Sequence, residues 1–142
     1  MKTKALAILA AALLLSLSCA IAEEGVLYEA EDATLKGNVT VSEDALASGG
    51  KVVGQFESDA DMVDFIIAVP EDGVYDLTFV CKGIGGGKIN RVLVDGQPQG
   101  EFSCSGTTFE AGTVRGVLMS AGPHTVTVVK SWGCPAHPGQ RL

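Results

Sequence analysis

Apolar and polar residues alternate with a period of two along several short stretches of this chain, which is the spacing of a β-strand that buries one face. In residues 62–69 one face carries Val63, Phe65, Ile67 and Val69. Residues 70–73, Pro-Glu-Asp-Gly, then turn the chain, and the apolar side chains of residues 75–79 share one face of the next strand. The pattern predicts two strands that pair as a hairpin.

More short strands follow at regular spacing. Residues 91–94 end at Asp95-Gly96, a dipeptide that readily adopts the positive φ angles of a tight turn. Residues 114–119 and 125–129 predict another strand pair around the turn at 120–123. Helical periodicity is weak beyond the first residues, and the 18 glycines concentrate between the strands. Together these features predict an all-β fold, a jelly-roll β-sandwich of two antiparallel sheets.

The first 22 residues have the pattern of a secretory signal peptide. Lys2 and Lys4 form a basic start, residues 5–17 are apolar, and residues 20–22 read Ala-Ile-Ala, a small-x-small cleavage site. The pattern predicts cleavage after Ala22 and an extracellular protein. A lipoprotein anchored through Cys19 is the alternative.

The mature chain from Glu23 onwards suits one domain. We assign residues 23–133 to a β-sandwich module and residues 134–142 to an irregular tail, because the prolines in that tail disfavour a central strand. Without the two leader lysines, eight basic residues face 17 acidic ones, for a net charge of −9. This balance excludes nucleic acids and anionic membranes as partners and suits a neutral polymer.

Three cysteines follow the predicted leader. Cys81 and Cys104 could pair in an oxidising compartment, which would leave Cys134 over. We interpret Cys81 and Cys104 as small buried apolar residues instead, with the disulfide kept as the open alternative.

Five segments in a fixed order resemble the family 35 carbohydrate-binding modules, relatives of the family 6 modules. They are Tyr-Glu-Ala-Glu-Asp-Ala at 28–33, and residues 48–54, 69–78, 92–96 and 121–125. The resemblance implies a non-catalytic β-sandwich that binds plant cell-wall polysaccharide and stands alone as a monomer or is appended to a glycoside hydrolase. Lys-Ile-Asn at 88–90 and Ser-Trp-Gly at 131–133 are most similar to modules of β-mannanases, which implies a mannan or galactomannan ligand.

Two glutamates are candidate metal ligands. Glu29 and Glu31 stand two apart at the start of the first predicted strand, so their side chains would share one face. Two carboxylates with backbone carbonyls suit calcium, whereas a solvated acidic strand edge is the alternative from the residues alone. The family resemblance implies a structural calcium ion here. It also implies a closing strand, Trp-x-Asp-x-Asp-Tyr-Ile, that supplies a further Asp, and residues 134–137 stand in its place, so the last strand is expected to be absent.

A polysaccharide site needs flat aromatic faces for sugar C–H surfaces and planar polar groups for hydroxyl pairs. The resemblance places Phe109 and Trp132 as stacking residues. One wall of the cleft would comprise Asn90, Lys88, Arg91 and the loop at 83–87, with Gln55 and Phe56 opposite. The alternatives are that Phe109 belongs to the core and that Asn90 caps a turn.

No catalytic constellation is evident in the sequence, since neither His124 nor His137 has a nucleophile partner. A small glycosidase would need two carboxylates that face each other across a cleft. The remaining alternative is a structural or adhesion domain without a sugar site. We therefore predict a binding module rather than an enzyme.

Overall fold

The computed structural model describes residues 25–131 and forms two layers of antiparallel strands. The predicted signal peptide, the tail at 134–142 and Trp132 lie outside this range. Its elements are β1 (Thr34–Lys36), β2 (Thr40–Glu43), β3 (Lys51–Gly54), β4 (Met62–Val69), β5 (Gly73–Cys81), β6 (Lys88–Val94), β7 (Gln97–Cys104), β8 (Glu110–Met119) and β9 (Gly122–Lys130), with short 3₁₀ helices at Ala30–Asp32 and Ser48–Gly50. No helix in 25–131 has the length and apolar character needed to cross a membrane.

One sheet has five strands in the order β1-β4-β9-β6-β7, and the remaining strands form two separate pairs, β2-β3 and β5-β8. The core lies between the large sheet and the β5-β8 pair. Val92 is fully buried at its centre, and the rings of Phe79 and Phe102 stack with centroids 4.4 Å apart. The predicted all-β sandwich is confirmed.

The sequence patterns predict individual strands and tight turns correctly. The alternating stretch at 62–69 forms β4, with Val63 and Val69 buried. Asp95 and Gly96 join β6 to β7 with φ angles of 50° and 80°, the positive values that the dipeptide indicates. The alternation therefore predicts both the strand and the side that faces the core.

Two predicted pairings are wrong. Strand β4 pairs with β1 and β9, whereas β5 pairs with β8, so the expected β4-β5 hairpin does not form. Likewise β8 and β9 do not pair with each other, because β9 lies between β4 and β6. Alternation specifies which face of a strand is buried but not which neighbour it bonds. Here the short connections pass from one layer to the other.

The up-and-down course of the strands gathers the connections at two ends of the sandwich. We call one the turn end, which holds residues 70–72, 95–96 and 120–121. The other is the loop end, which holds the longer connections 55–61, 82–87 and 105–109 together with residues 37–39 and Ser131. Every predicted sugar-contacting residue within 25–131 belongs to the loop end or to the first residues of β6.

Candidate functional site

A disulfide joins the two layers at the loop end. Cys81, the last residue of β5, bonds to Cys104, the last residue of β7, with Cα atoms 5.9 Å apart. Our interpretation of these cysteines as unpaired core residues is wrong: their strands end opposite each other, at a distance that suits a disulfide. The bond fixes where the loops at 82–87 and 105–109 begin.

These two loops also contact each other through their backbones. The N–H of Gly83 donates to the carbonyl of Gly106 over 2.7 Å. A Cβ atom at position 83 would lie only 2.6 Å from the carbonyl oxygen of Cys104, so only glycine allows this approach. The disulfide and this contact hold both loops at the base of the site.

Phe109 ends the second of these loops and is half-buried, so it belongs neither to the buried core nor to a fully solvated loop. The ammonium group of Lys82 lies 4.9 Å from the ring centroid, in the range of a cation–π contact. Lys82 also forms an ion pair and hydrogen bond with Asp44, and this hydrogen bond lowers the pKa of the Asp44 carboxyl. The ring of Phe109 is thus held against an ion pair whose two members lie in two other loops.

Glu110 orders the loop that carries Phe109. Its carboxylate accepts hydrogen bonds from the backbone N–H groups of Gly106, at 3.0 Å, and of Ser105, and one from the Ser105 hydroxyl at 3.3 Å. The hydrogen bond from Gly106 lowers the pKa of Glu110 most and the one from Ser105 is the next largest cause, because both bonds favour the ionised form. A negative charge at the start of β8 therefore holds the loop in one conformation.

Strand β6 divides the predicted polar wall between its two faces. Asn90 is buried with 9% of its surface exposed, and it shares the inward face with Val92 and Lys88. Arg91 points outward, where its guanidinium lies 3.4 Å from Glu101. Arg91 therefore does not share a wall with Asn90, because successive strand residues face opposite sides.

Within residues 25–131 the side-chain amide of Asn90 makes no hydrogen bond, and it is not a buried unsatisfied group, because no buried polar side-chain atom there lacks a partner. Across the sheet Asn90 stands opposite Lys130, whose ammonium group donates to the carbonyl of Glu57 over 2.8 Å. This contact places the loop at 55–61 beside the start of β6. The structure thereby brings Asn90 to the same end as Gln55, with φ 72°, and the half-buried Phe56.

Asp61 anchors that loop, a role that our sequence reading missed. It is fully buried, and its carboxylate accepts backbone hydrogen bonds from Asn38 at 2.7 Å, Ser58 at 2.6 Å and Glu57 at 2.8 Å. These bonds lower its pKa to about 2, with the donation from Asn38 as the largest cause. The sequence offers only a weak signal for this, an Asp three residues after Ser58 and directly before an alternating strand.

Glu29 and Glu31 converge, but not on a strand. Glu29 precedes the 3₁₀ helix at Ala30–Asp32 and Glu31 lies within it, so the predicted strand start is wrong. The hydroxyl of Ser48 donates to Glu29, and a Cβ atom at Gly49 would lie 2.6 Å from Oε1 of Glu31 and 3.7 Å from Oε1 of Glu29. Both carboxylates thus surround a space that a side chain at position 49 would fill.

This donor set consists of hard oxygens and fits a calcium ion in chemical type. It is small, because no group of three or more acidic, histidine or cysteine side chains comes together within residues 25–131. Further ligands would have to be the Ser48 hydroxyl, backbone oxygens, water or residues outside that range.

Comparisons with known proteins agree on one family. The model of the family 35 carbohydrate binding module matches residues 26–135. Mannan endo-1,4-beta-mannosidases A and B of Piromyces sp. are 36% and 40% identical over 121 and 111 residues, which is 84% and 76% of this chain. The alignments cover only 20% and 19% of those relatives, so this chain spans about a fifth of their length.

Solved structures lead to the same family. The Podospora anserina GH26-CBM35 beta-(1,4)-mannanase has a TM-score of 0.64 and 27% identity, with 79% of this chain and 29% of that one covered. A family 35 carbohydrate binding module from Clostridium thermocellum has a TM-score of 0.64 and 25% identity, with 72% and 84% covered. This chain therefore belongs to family 35 of the carbohydrate-binding modules, and it is a binding module rather than an enzyme.

Proposed function

We propose that the chain binds β-mannan or galactomannan at the loop end and thereby keeps an attached or partner glycoside hydrolase near its substrate. The observation that carries the proposal is that one end of the sandwich holds both a half-buried aromatic ring, Phe109, on a firmly held loop, and an amide at the start of β6, Asn90, that makes no side-chain hydrogen bond within residues 25–131. The ring suits the apolar face of a sugar and the amide suits a pair of hydroxyl groups. The names of the relatives support mannan as the polymer.

Phe109 would offer one ring face to the sugar, because Lys82 covers the other. Lys88 lies on the same face of β6 as Asn90, and Gln55 with Phe56 would form the opposite wall. Trp132, directly after Ser131 in the chain, would add a second stacking surface. Arg91 has no place in this cleft because it faces outward with Glu101.

Affinity gel electrophoresis with galactomannan tests the site. We expect Phe109→Ala and Asn90→Ala each to weaken binding about tenfold, since each loses about 1 to 1.5 kcal/mol of contact energy. Arg91→Ala is the matched control from the same strand and should bind as the wild type does. If all three variants bind alike, the loop end is not the site. If the wild type binds no polysaccharide, the structural or adhesion alternative holds.

The proposal includes a calcium ion held by Glu29, Glu31 and the Ser48 hydroxyl, which would join the 3₁₀ helices of residues 30–32 and 48–50. The ion would neutralise two converging carboxylates. We expect chelation to lower the Tm by about 5 °C and Glu31→Gln to abolish that shift. Glu43→Gln is the control, since it removes an exposed carboxylate from β2. A chelation shift that persists in Glu31→Gln would place the ion elsewhere.

We also propose that the module acts outside the cell after its leader is removed following Ala22. Mass spectrometry of the exported protein should find Glu23 as the first residue. A mature protein that begins at Cys19 with a lipid attached would establish the lipoprotein alternative instead.

A further inference from the structure

Glycine directly follows aspartate at two positions of this chain, Asp72-Gly73 and Asp95-Gly96, and both aspartates lie at the turn end. Because glycine has no Cβ atom, its backbone nitrogen can approach the side chain of the residue before it. In such a dipeptide the side-chain carboxyl group and the backbone nitrogen of the glycine can close a five-membered ring. The turn end therefore carries two places where the backbone can be modified without an enzyme.

This modification converts aspartate to isoaspartate in two steps. The glycine nitrogen attacks the aspartate Cγ, a new C–N bond forms, and the carboxyl OH leaves as water with the proton of that nitrogen. One water molecule then opens the resulting succinimide ring at the main-chain carbonyl, so that the backbone now runs through Cβ. Water leaves only from a protonated carboxyl group, so contacts that hold the carboxylate ionised and away from the glycine slow the first step.

The aspartate of the second dipeptide is held by β9 through its backbone and both carboxylate oxygens. The N–H of Asp95 donates to the carbonyl of Thr125 over 2.9 Å, and its Oδ1 accepts from the N–H of Thr125 over 2.9 Å. Its Oδ2 lies 2.6 Å from Nδ1 of His124, whose side chain is only 11% exposed. The bond from Thr125, followed by the one from His124, lowers the pKa of Asp95.

His124 is itself held in the orientation that this contact needs. Its Nε2 lies 2.8 Å from the carbonyl oxygen of Ser120, so the ring is fixed at both nitrogens. Exposure does not protect the dipeptide, because Asp95 and Gly96 are both exposed. The contacts with β9 are therefore what keeps the carboxylate from the glycine nitrogen.

We propose that Asp95-Gly96 is a latent site of spontaneous isoaspartate formation, and that His124 together with the N–H of Thr125 keeps it closed. Isoaspartate at position 95 lengthens the two-residue turn between β6 and β7 by a backbone atom. Because turn length sets the register of a hairpin, the pairing of both strands shifts, and β6 carries the fully buried Val92. The inference is independent of what the module binds.

Peptide mapping with electron-transfer fragmentation tests the inference, because it distinguishes isoaspartate from aspartate at each position. The full chain is kept for several weeks at body temperature in mildly acidic buffer, in which His124 is protonated. We expect His124→Ala to form isoaspartate at position 95 about tenfold faster than the wild type, since it loses a charge-assisted hydrogen bond to the carboxylate. His124→Gln, which keeps a neutral donor, should give a rate between the two.

Asp72-Gly73 is the internal control in the same molecule. Its carboxylate accepts from the N–H of Ala121 over 2.7 Å and not from His124, so the rate at position 72 should be the same in all three proteins. A general loosening of the turn end would accelerate both dipeptides together. Equal acceleration at positions 72 and 95, or a rate at position 95 that is the same with and without His124, would overturn the inference.

Discussion

The two ends of the sandwich are built from the same strands but are held together in different ways. At the turn end, two- and three-residue connections are fixed by side chains on the turns, such as Asp72, whose carboxylate accepts from the N–H of Ala121 at 2.7 Å. At the loop end, longer connections depend on a disulfide and on the carboxylates of Asp61 and Glu110. Long loops offer a ligand more surface, and they need stronger constraints because they lose more conformational entropy.

The largest expected effect comes from removing the covalent constraint at the loop end. Replacing Cys81 and Cys104 together by alanine should destabilise the fold by about 3 kcal/mol, since the bond closes a segment with a sequence separation of 23. Thermal unfolding with and without reductant measures the effect in the wild type, and the alanine variant should show no response to reductant. An unchanged Tm in that variant would mean that the non-covalent contacts suffice.

The next effect comes from Asp61. Asp61→Ala leaves three backbone N–H groups without their acceptor, so we expect the Tm to fall by about 10 °C and binding at the proposed site to weaken. Asp59→Ala, on the same loop but with its side chain 80% exposed, should change the Tm by about 2 °C or less. Equal effects of the two substitutions would refute the anchoring role of Asp61.

At the turn end, His124 makes stability depend on pH. Its Nδ1 lies 2.6 Å from Oδ2 of Asp95 and its Nε2 lies 2.8 Å from the carbonyl oxygen of Ser120, so both nitrogens face acceptors, an arrangement that favours the protonated ring. The hydrogen bond with Asp95 is the main cause that raises the pKa of His124 above 6.5. The bonds from Thr125 and then His124 lower the pKa of Asp95.

A raised histidine pKa contributes stability that is fully present below its unfolded value and is lost as pH rises through the folded value. The lowered pKa of Asp95 adds stability that is lost only in acid. His124→Gln should therefore lower the Tm by a few degrees at about pH 5.5 and by less at about pH 8.5. Carbohydrate affinity should not change, since His124 is at the opposite end from the proposed site. A pH-independent difference would show that His124 acts through packing alone.

The sequence predicts those structural features that depend on a single short segment of the chain. Alternation identifies β4 and its buried face, and Asp95-Gly96 identifies a tight turn. The partners of β4 and β5 could not be predicted, because they depend on connections that cross between layers. The same limit explains why the disulfide and the anchoring role of Asp61 were not predicted. Cys104, the partner of Cys81, and Asn38, a partner of Asp61, are distant from them in sequence.

The candidate site was predicted in part. Phe109 and Asn90 do lie at one end, but the side chain of Arg91 faces away from them, because adjacent strand residues alternate between faces. Glu29 and Glu31 approach each other in a 3₁₀ helix rather than on a strand. The residue types indicated what these side chains could bind, whereas the local backbone conformation determines where they point.

The position of the disulfide has a mechanical consequence. Under the proposed function, the module would link an enzyme to an insoluble polymer and would bear a pulling force whenever the enzyme or the medium moves. Force applied by a polymer chain at the loops 82–87 and 105–109 enters β5 and β7 together through the Cys81–Cys104 bond. The load is then shared by a strand of each layer instead of being carried by one strand alone.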